Sequence, residues 1–255
     1  MNHLNITRFP EAEYRWVEAM NTLCTNLSYS GKDMKTILIT SRYEDEGKSL
    51  ISMNLLRTLA GLRKKVVMVD ADLRRSCINR SFRIQYESTR TNGLAQYLAG
   101  LCPMDDILYE TDIPNAYMIP VGRTVANPLN LLNAPEMPTL MEKLREEFDY
   151  IIIDTPPAGI VIDAVDMARH CDGALIVVSY MRGKCRDITE VRDMIRQTGC
   201  KVLGTVMNNV EFDSLSNKHY YYSSGRYAYN YDYRKRYESG ETPPKKKKKK
   251  HLFLK

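Results

Sequence analysis

The sequence predicts an α/β fold, a three-layer α/β/α sandwich in which helices cover both faces of a mostly parallel sheet. Short apolar runs rich in β-branched residues recur along the chain, as in strands buried on both faces. Segments with helical periodicity separate them. Strands and helices that alternate in this way form right-handed βαβ units. With 255 residues and 44% hydrophobic content, the chain is long enough for one large domain.

Six strands and three helices follow from these patterns. The predicted strands are Thr36–Thr40, Val66–Val69, Ala116–Pro120, Tyr150–Ile153, Ala174–Val178 and Val202–Met207. The predicted helices are Ser49–Leu62, Pro135–Glu147 and Ile188–Thr198, the last ended by Gly199. In a sheet of this kind the functional residues lie at the carboxyl ends of the strands.

The first strand leads through a short loop into Glu46-Gly47-Lys48-Ser49, where a helix begins. This is the context of a phosphate-binding P-loop, in which backbone N–H groups and the helix dipole receive the phosphates. Lys48 would reach the β- and γ-phosphates and Ser49 would hold Mg²⁺. The strict G-x-x-x-x-G-K-[ST] pattern is not met, because Arg42 occupies the first glycine position. An ordinary strand-to-helix turn therefore stays open for this motif alone.

Three consecutive acidic residues, Glu44, Asp45 and Glu46, occupy the loop that anionic phosphates would approach. Like charges close together in a site with little water are costly. We therefore expect these three side chains to point outward.

Acidic residues also end two other predicted strands. The second strand runs into Asp70-Ala71-Asp72-Leu73-Arg74, and Asp154 follows Tyr150–Ile153. One carboxylate of the first pair could organise Mg²⁺ and its water, while the other accepts a proton from an attacking hydroxyl. Asp154 stands where a Walker B acid would, usually bound to the metal through water. Alternatively, Asp70 and Asp72 could be a solvated pair of acidic residues at the end of a strand. The three motifs together nevertheless predict a nucleotide site for ATP and Mg²⁺.

The net charge of +6 comes from the end of the chain, since residues 245–255 hold seven lysines and no acidic residue; six minus seven leaves −1 for the remainder. No basic face for nucleic acid is predicted. The lysine block, which follows Pro243-Pro244, is either a solvated tail or a segment attracted to an anionic membrane surface.

Neither a membrane span nor a cysteine-based site is predicted. No apolar run approaches the roughly 20 residues that cross a bilayer, and no signal-peptide pattern is present. The six cysteines lack close CxxC spacing, so neither a zinc site nor a disulfide framework is indicated, and a reducing cytoplasm fits best.

Eight of the 17 tyrosines fall within 18 residues near the end of the chain, among Ser, Gly, Asn and Arg. No core-like alternation is present, so we expect a flexible segment whose tyrosines can enter a neighbouring active site. A sticky aromatic interaction segment is the alternative, and RNA stacking is disfavoured because no groove motif accompanies it. The clustered tyrosines are Tyr220, Tyr221, Tyr222, Tyr227, Tyr229, Tyr231, Tyr233 and Tyr237.

The order of these motifs resembles the bacterial tyrosine kinases of capsule and exopolysaccharide export, cytoplasmic enzymes of the P-loop NTPase type. The likeness runs from Glu18 to Asn209. It also includes three further stretches: Asn92-Gly93-Leu94 through Leu98-Ala99-Gly100, Asn127-Pro128 to Leu132, and Phe148-Asp149-Tyr150. The resemblance implies a kinase domain at 1–213, a tyrosine-rich tail at 214–244 and a polybasic end at 245–255.

The resemblance further implies an ATP:protein-tyrosine phosphotransferase that phosphorylates its own C-terminal tyrosines and regulates polysaccharide synthesis and export. The catalytic residues would be Lys48, Asp70 and Asp72. The nucleotide would be bound by Glu46, Gly47, Lys48, Ser49 and Leu50, and the metal by Ser49, Asp70 and Asp154. The implied partners are a membrane-embedded activator of the polysaccharide co-polymerase type, a second copy of the chain and a cognate tyrosine phosphatase. The implied location is the cytoplasm, with recruitment to the inner face of the plasma membrane.

Two departures from the family pattern keep other interpretations open. Family members commonly carry a proline and a small residue before E-G-K-[ST], whereas this chain has Glu44 and Asp45 there. Family members carry E-x-x-R-x-x-R on an early helix that assembles rings, whereas this chain has Glu18, Asn21 and Cys24, so Trp16–Leu27 could be a packing helix alone. A partition- or division-type ATPase switch shares the motif layout, but it usually carries a lysine where Tyr43 stands. A catalytically impaired scaffold of the same fold is the third interpretation, suggested by the acidic loop and the missing arginines.

Overall fold

The computed structural model describes residues 2–10, 14–88, 91–123, 128–180 and 182–210. The strands in these ranges are β1 (Asn2–Ile6), β2 (Thr36–Ser41), β3 (Val66–Asp70), β4 (Ile84–Tyr86), β5 (Tyr109–Thr111), β6 (Ala116–Ile119), β7 (Tyr150–Asp154), β8 (Gly173–Ser179) and β9 (Lys201–Asn208). The α-helices are α1 (Tyr14–Ser28), α2 (Lys48–Gly61), α3 (Ile78–Ser81), α4 (Leu94–Leu98), α5 (Pro128–Leu132), α6 (Glu136–Glu147), α7 (Asp163–Ala168) and α8 (Cys185–Arg196).

All of these strands join one sheet, in the order β4-β1-β5-β6-β3-β7-β2-β8-β9. The strands from β6 to β9 in this order pair in parallel. Antiparallel pairing is confined to the other edge, between β1 and β4 and between β5 and β6. The predicted α/β fold with a mostly parallel sheet is therefore confirmed. The six predicted strands are confirmed within one residue at each end, and β1, β4 and β5 were not predicted.

Alternating residues of the central strands pack into two hydrophobic clusters, one on each face of the sheet. On β2, Ile37 and Ile39 join the cluster that contains residues of α1, α2 and α3. Leu38, between them, joins the cluster built with α4, α5, α6, α7 and α8. Burial of this apolar surface drives the two helical layers onto the sheet.

Helix α1, which contains Trp16–Leu27, packs against α2 on one face of the sheet. Its buried residues are Met20, Cys24 and Leu27, which belong to the same cluster as α2. Cys24 is 2% exposed, and burial raises the pKa of its thiol to about 12. Cys24 therefore occupies a core position.

Within the described ranges, no helix has the length and apolarity needed to cross a bilayer. The predicted tyrosine-rich tail and the lysine block lie outside the described residues.

Candidate active site

The loop between β2 and α2 has the backbone shape that its central glycine permits. Gly47 adopts φ +93°, and a Cβ atom at this position would lie 1.9 Å from Asn208 Nδ2. A larger residue would meet both backbone strain and a clash. The loop thus turns sharply into α2, whose first turn presents its backbone N–H groups at the carboxyl end of β2.

The acidic residues of this loop do not behave alike. Glu44 and Asp45 are exposed as expected, and Glu44 lies 3.4 Å from the guanidinium of Arg75. The expectation was wrong for Glu46, which is 1% exposed. Its Oε2 accepts backbone N–H groups from Arg42 at 3.0 Å and Tyr43 at 2.9 Å. Its Oε1 accepts the N–H of Ser179 at 3.2 Å. Hydrogen bonding inside the protein has outweighed the repulsion assumed from the sequence.

Lys48 opens helix α2 and is 9% exposed. No described residue supplies a hydrogen bond or ion pair to its ammonium group, although its charge partly offsets the burial that raises the pKa of Asp154. A nearly buried ammonium without a partner is costly. This position therefore suits an anionic ligand such as a phosphate.

The Asp154 carboxylate, at the end of β7, accepts two hydroxyl groups from α2. Ser49 Oγ donates to Oδ2 at 2.7 Å, and Ser52 Oγ donates to Oδ1 at 2.8 Å. Burial raises the pKa of Asp154 to about 6, although both serine hydrogen bonds act in the opposite direction. Ser49, Lys48 and Asp154 thus meet where β7 faces the start of α2.

Asp70 lies beside Asp154, because the two residues are register partners in the parallel strands β3 and β7. Asp70 is 2% exposed. It accepts the Ser76 hydroxyl and the backbone N–H of Asp72, the latter at 3.3 Å. Burial and then the charge of Asp154 raise the pKa of Asp70 well above its usual range. Two neighbouring buried carboxylates of this kind would be stabilised by a cation.

Asp72 is only partly buried and holds the turn that follows β3. Its Oδ1 accepts the backbone N–H groups of Arg74 at 3.3 Å and Arg75 at 2.9 Å. Arg74 reaches across to α7 and donates to both oxygens of Asp163, at 2.6 and 2.9 Å. Asp163 is fully buried. A bidentate ion pair therefore connects this turn to the start of α7.

The donor atoms brought together here fit a magnesium ion. They are a serine hydroxyl and two aspartates, Ser49, Asp70 and Asp154, linked through Asp154. The described part of the chain has no group of three or more His, Cys, Asp and Glu side chains that could hold a metal. Mg²⁺ suits such a sparse oxygen set, because it keeps several waters and takes further ligands from substrate phosphates.

Most of the predicted site residues lie together at the carboxyl ends of β2, β3 and β7, but others do not. Leu50 packs against the hydrophobic cluster of α1 and α2. Four supporting side chains, Ser52, Ser76, Asp163 and Asn208, were missed. Of these, Ser52 alone had a local signal, since it follows Ser49 by three residues on the same helix face. The clustered tyrosines lie outside the described residues.

Comparison with known proteins agrees with this geometry. A family model described as an AAA domain matches residues 34–200. Tyrosine-protein kinase CpsD of Streptococcus agalactiae is 38% identical over 194 residues, which cover 76% of this chain and 82% of that protein. The chain belongs to the bacterial tyrosine kinase family.

Solved structures share this fold. The kinase domain of Escherichia coli tyrosine kinase ETK matches with a TM-score of 0.72 and 27% identity, over 78% of this chain and 77% of that domain. The cell division ATPase MinD of Pyrococcus furiosus matches with a TM-score of 0.57 and 26% identity, over 68% of this chain and 71% of that one. The likeness to the tyrosine kinase is thus the more extensive of the two.

Proposed function

We propose that the protein is an ATP-dependent protein-tyrosine kinase whose phosphoryl acceptors are the clustered tyrosines from Tyr220 to Tyr237. The observation that carries the proposal is the in-register pair Asp70 and Asp154, placed near Ser49 and the Lys48 ammonium, with which no described residue pairs. Family membership supports tyrosine as the acceptor.

In the proposed reaction a bond forms between a tyrosine Oη and the γ-phosphorus of ATP, and the bond from that phosphorus to the β–γ bridging oxygen breaks. ADP leaves, and the proton of the tyrosine hydroxyl passes to a carboxylate. Asp70 and Asp72 are the candidates for this base. Lys48 would bind the β- and γ-phosphates and offset charge that develops during transfer. A bound Mg²⁺ would neutralise phosphate charge, and Ser49, Asp70 and Asp154 would hold it.

The remaining parts of the proposal concern partners and place. The proposed activator is a membrane-embedded protein of the polysaccharide co-polymerase type, which would recruit the cytoplasmic kinase to the inner face of the plasma membrane. A second copy of the chain would receive the phosphoryl group, and a cognate tyrosine phosphatase would remove it. The regulated process would be capsular or exopolysaccharide synthesis and export. These assignments rest on what the family resemblance implies.

The test is to incubate the purified full chain with labelled ATP, Mg²⁺ and the cytoplasmic segment of a candidate activator. We expect phosphotyrosine within residues 220–237, located by peptide mass spectrometry. The Lys48→Met variant provides the inactive control. Binding of ATP without any phosphotyrosine would rule against the kinase.

A partition- or division-type ATPase switch is the second candidate, favoured by the likeness to MinD. It predicts ATP-dependent dimerisation and steady phosphate release without protein labelling. An impaired scaffold predicts no ATP binding in calorimetry. The acidic loop now gives less support to that last alternative, because the Glu46 carboxylate is turned into the protein and hydrogen-bonded there.

A further inference from the structure

Glu46, in the loop between β2 and α2, forms hydrogen bonds with the ends of two strands, β8 and β9, that lie far along the chain. Its carboxylate accepts the N–H of Ser179 at the end of β8, and its carbonyl accepts the side-chain amide of Asn208 at the end of β9. We propose that Glu46 is a positioning residue that holds the loop ready for phosphate before the nucleotide arrives. This inference rests on the proposed function, because it assumes that the loop binds ATP.

The carboxylate fixes the start of the loop. Oε2 accepts the successive N–H groups of Arg42 and Tyr43, while Oε1 accepts the N–H of Ser179. Three backbone donors from two separate segments thus converge on one side chain, and that side chain is 1% exposed. The side chain must accept hydrogen bonds on both of its terminal atoms. An N–H donor in place of either carboxylate oxygen would face a backbone N–H, which is also a donor.

The carbonyl fixes the end of the loop. Asn208 Nδ2 donates to Glu46 O at 3.0 Å, and the same amide packs against Gly47. In a planar trans peptide the N–H points opposite to the C=O. With the carbonyl of Glu46 held by Asn208, the N–H of Gly47 is directed away from Asn208. The peptide between Glu46 and Gly47 therefore has a set orientation without a ligand.

A positioning role for Glu46 and simple repulsion of phosphate by Glu46 predict opposite changes in ATP affinity when its negative charge is removed. If Glu46 acted mainly by repelling phosphates, then Glu46→Gln would strengthen ATP binding. If it holds the loop, the glutamine amide must face the N–H of Ser179 or those of Arg42 and Tyr43. An unsatisfied buried donor is costly, so binding would weaken.

The experiment compares the binding of a fluorescent ATP analogue with Mg²⁺ to the full-length wild type, Glu46→Gln and Glu44→Gln. Glu44→Gln is the matched control, because it removes the same charge two residues away from an exposed side chain. We expect Glu46→Gln to weaken binding roughly tenfold, as one unsatisfied donor implies. Glu44→Gln should leave the affinity unchanged or slightly stronger.

Amide hydrogen exchange without nucleotide is the second measurement. In Glu46→Gln the amides of Arg42, Tyr43 and Ser179 should exchange faster than in the wild type, whereas Glu44→Gln should leave them unchanged. Asn208→Ala removes the side-chain donor to the Glu46 carbonyl and should also weaken analogue binding. This variant replaces Glu46→Gln in the test if Glu46→Gln does not fold.

The possible outcomes separate the two hypotheses. Equal or tighter binding by Glu46→Gln, with unchanged exchange at these amides, would overturn the positioning role. Failure of the wild type to bind the analogue would instead count against the proposed function. The exchange measurement would then still decide whether Glu46 holds the loop.

Discussion

Asp70 and Asp154 are in-register neighbours at the ends of two parallel strands, and both are almost completely buried. Their only described hydrogen-bond donors are serine hydroxyls and one backbone N–H, so no cation of the described chain pairs with them directly. Placing two carboxylates in this way lowers stability. Sites that bind cationic ligands commonly show such a conflict between stability and activity.

The first prediction concerns Asp154→Asn and pH, measured without nucleotide and with a chelator. A carboxyl whose pKa is raised by folding binds more protons in the folded state, so stability falls as pH rises through that interval. For Asp154 the interval runs from 3.8 to about 6, and the cost persists above it. The substitution should therefore stabilise the protein at pH 7.5 by on the order of 1–3 kcal/mol.

The control for this prediction is the same variant at pH 4, where the wild-type carboxyl of the folded state is largely neutral and the advantage should be much smaller. Melting temperatures across the pH range measure the difference. An advantage independent of pH would contradict a raised pKa.

The second prediction is that Lys48→Met reduces ATP turnover by roughly 100- to 1,000-fold, the cost of losing one preorganised donor to developing charge. The fold should keep its stability, because the variant removes a nearly buried ammonium that no described residue pairs with. Labelled phosphate transfer and urea unfolding measure the two effects. Lys64→Met, at an exposed position, provides the control. Unchanged turnover in Lys48→Met would count against the proposed phosphate site.

The third prediction compares two consecutive arginines. Arg74→Ala would leave the fully buried Asp163 without its partner. Removing one member of a buried pair costs roughly 3–5 kcal/mol, and the 38% exposure of the Arg74 side chain reduces this to about 2–3 kcal/mol. Arg75→Ala breaks an exposed pair with Glu44 and should cost less than about 1 kcal/mol. Urea unfolding tests the difference, and equal losses would contradict the assigned role of the Arg74 pair.

The fourth prediction uses Cys77, whose exposed thiol lies 3.8 Å from Ser49 Oγ. ATP with Mg²⁺ bound at Ser49 should slow the reaction of Cys77 with a maleimide, because the ligand would cover this thiol. Cys185 is also exposed and should react at the same rate with or without nucleotide. Peptide mass spectrometry measures both rates. Undiminished labelling of Cys77 at saturating ATP would place the nucleotide elsewhere.

The sequence predicted those strands that are long and apolar. It missed β1, β4 and β5, because β4 and β5 have three residues each and β1 carries asparagine and histidine among its five. Such segments form strands only through pairing with distant partners. The start of α8 was placed at Ile188, although the helix begins at Cys185. The backbone N–H of Lys184 donates to the Asp187 carboxylate at that end, a capping contact with which the helix starts three residues earlier.

The candidate site was predictable as far as local motifs define it. Lys48, Ser49, Asp70 and Asp154 follow strands whose carboxyl ends share an edge, so their proximity follows from topology. The contacts from Asn208 and Asp163 could not be predicted, since they join segments far apart in the sequence. The predicted outward orientation of Glu46 was wrong, because it followed from charge repulsion alone. The backbone N–H groups that bind this carboxylate come from the folded loop and from β8.

The contact between Asn208 and Glu46 also fixes where the chain leaves the sheet. Tyr220 follows Asn208 by twelve residues, a tether whose fully extended length is at most roughly 40 Å. This upper limit on chain length alone would allow Tyr220 to reach the site of its own molecule. In the proposed kinase, transfer within one molecule would then compete with the proposed transfer to a second copy. The dependence of the initial rate on dilution distinguishes the two, since a first-order rate belongs to the tethered route.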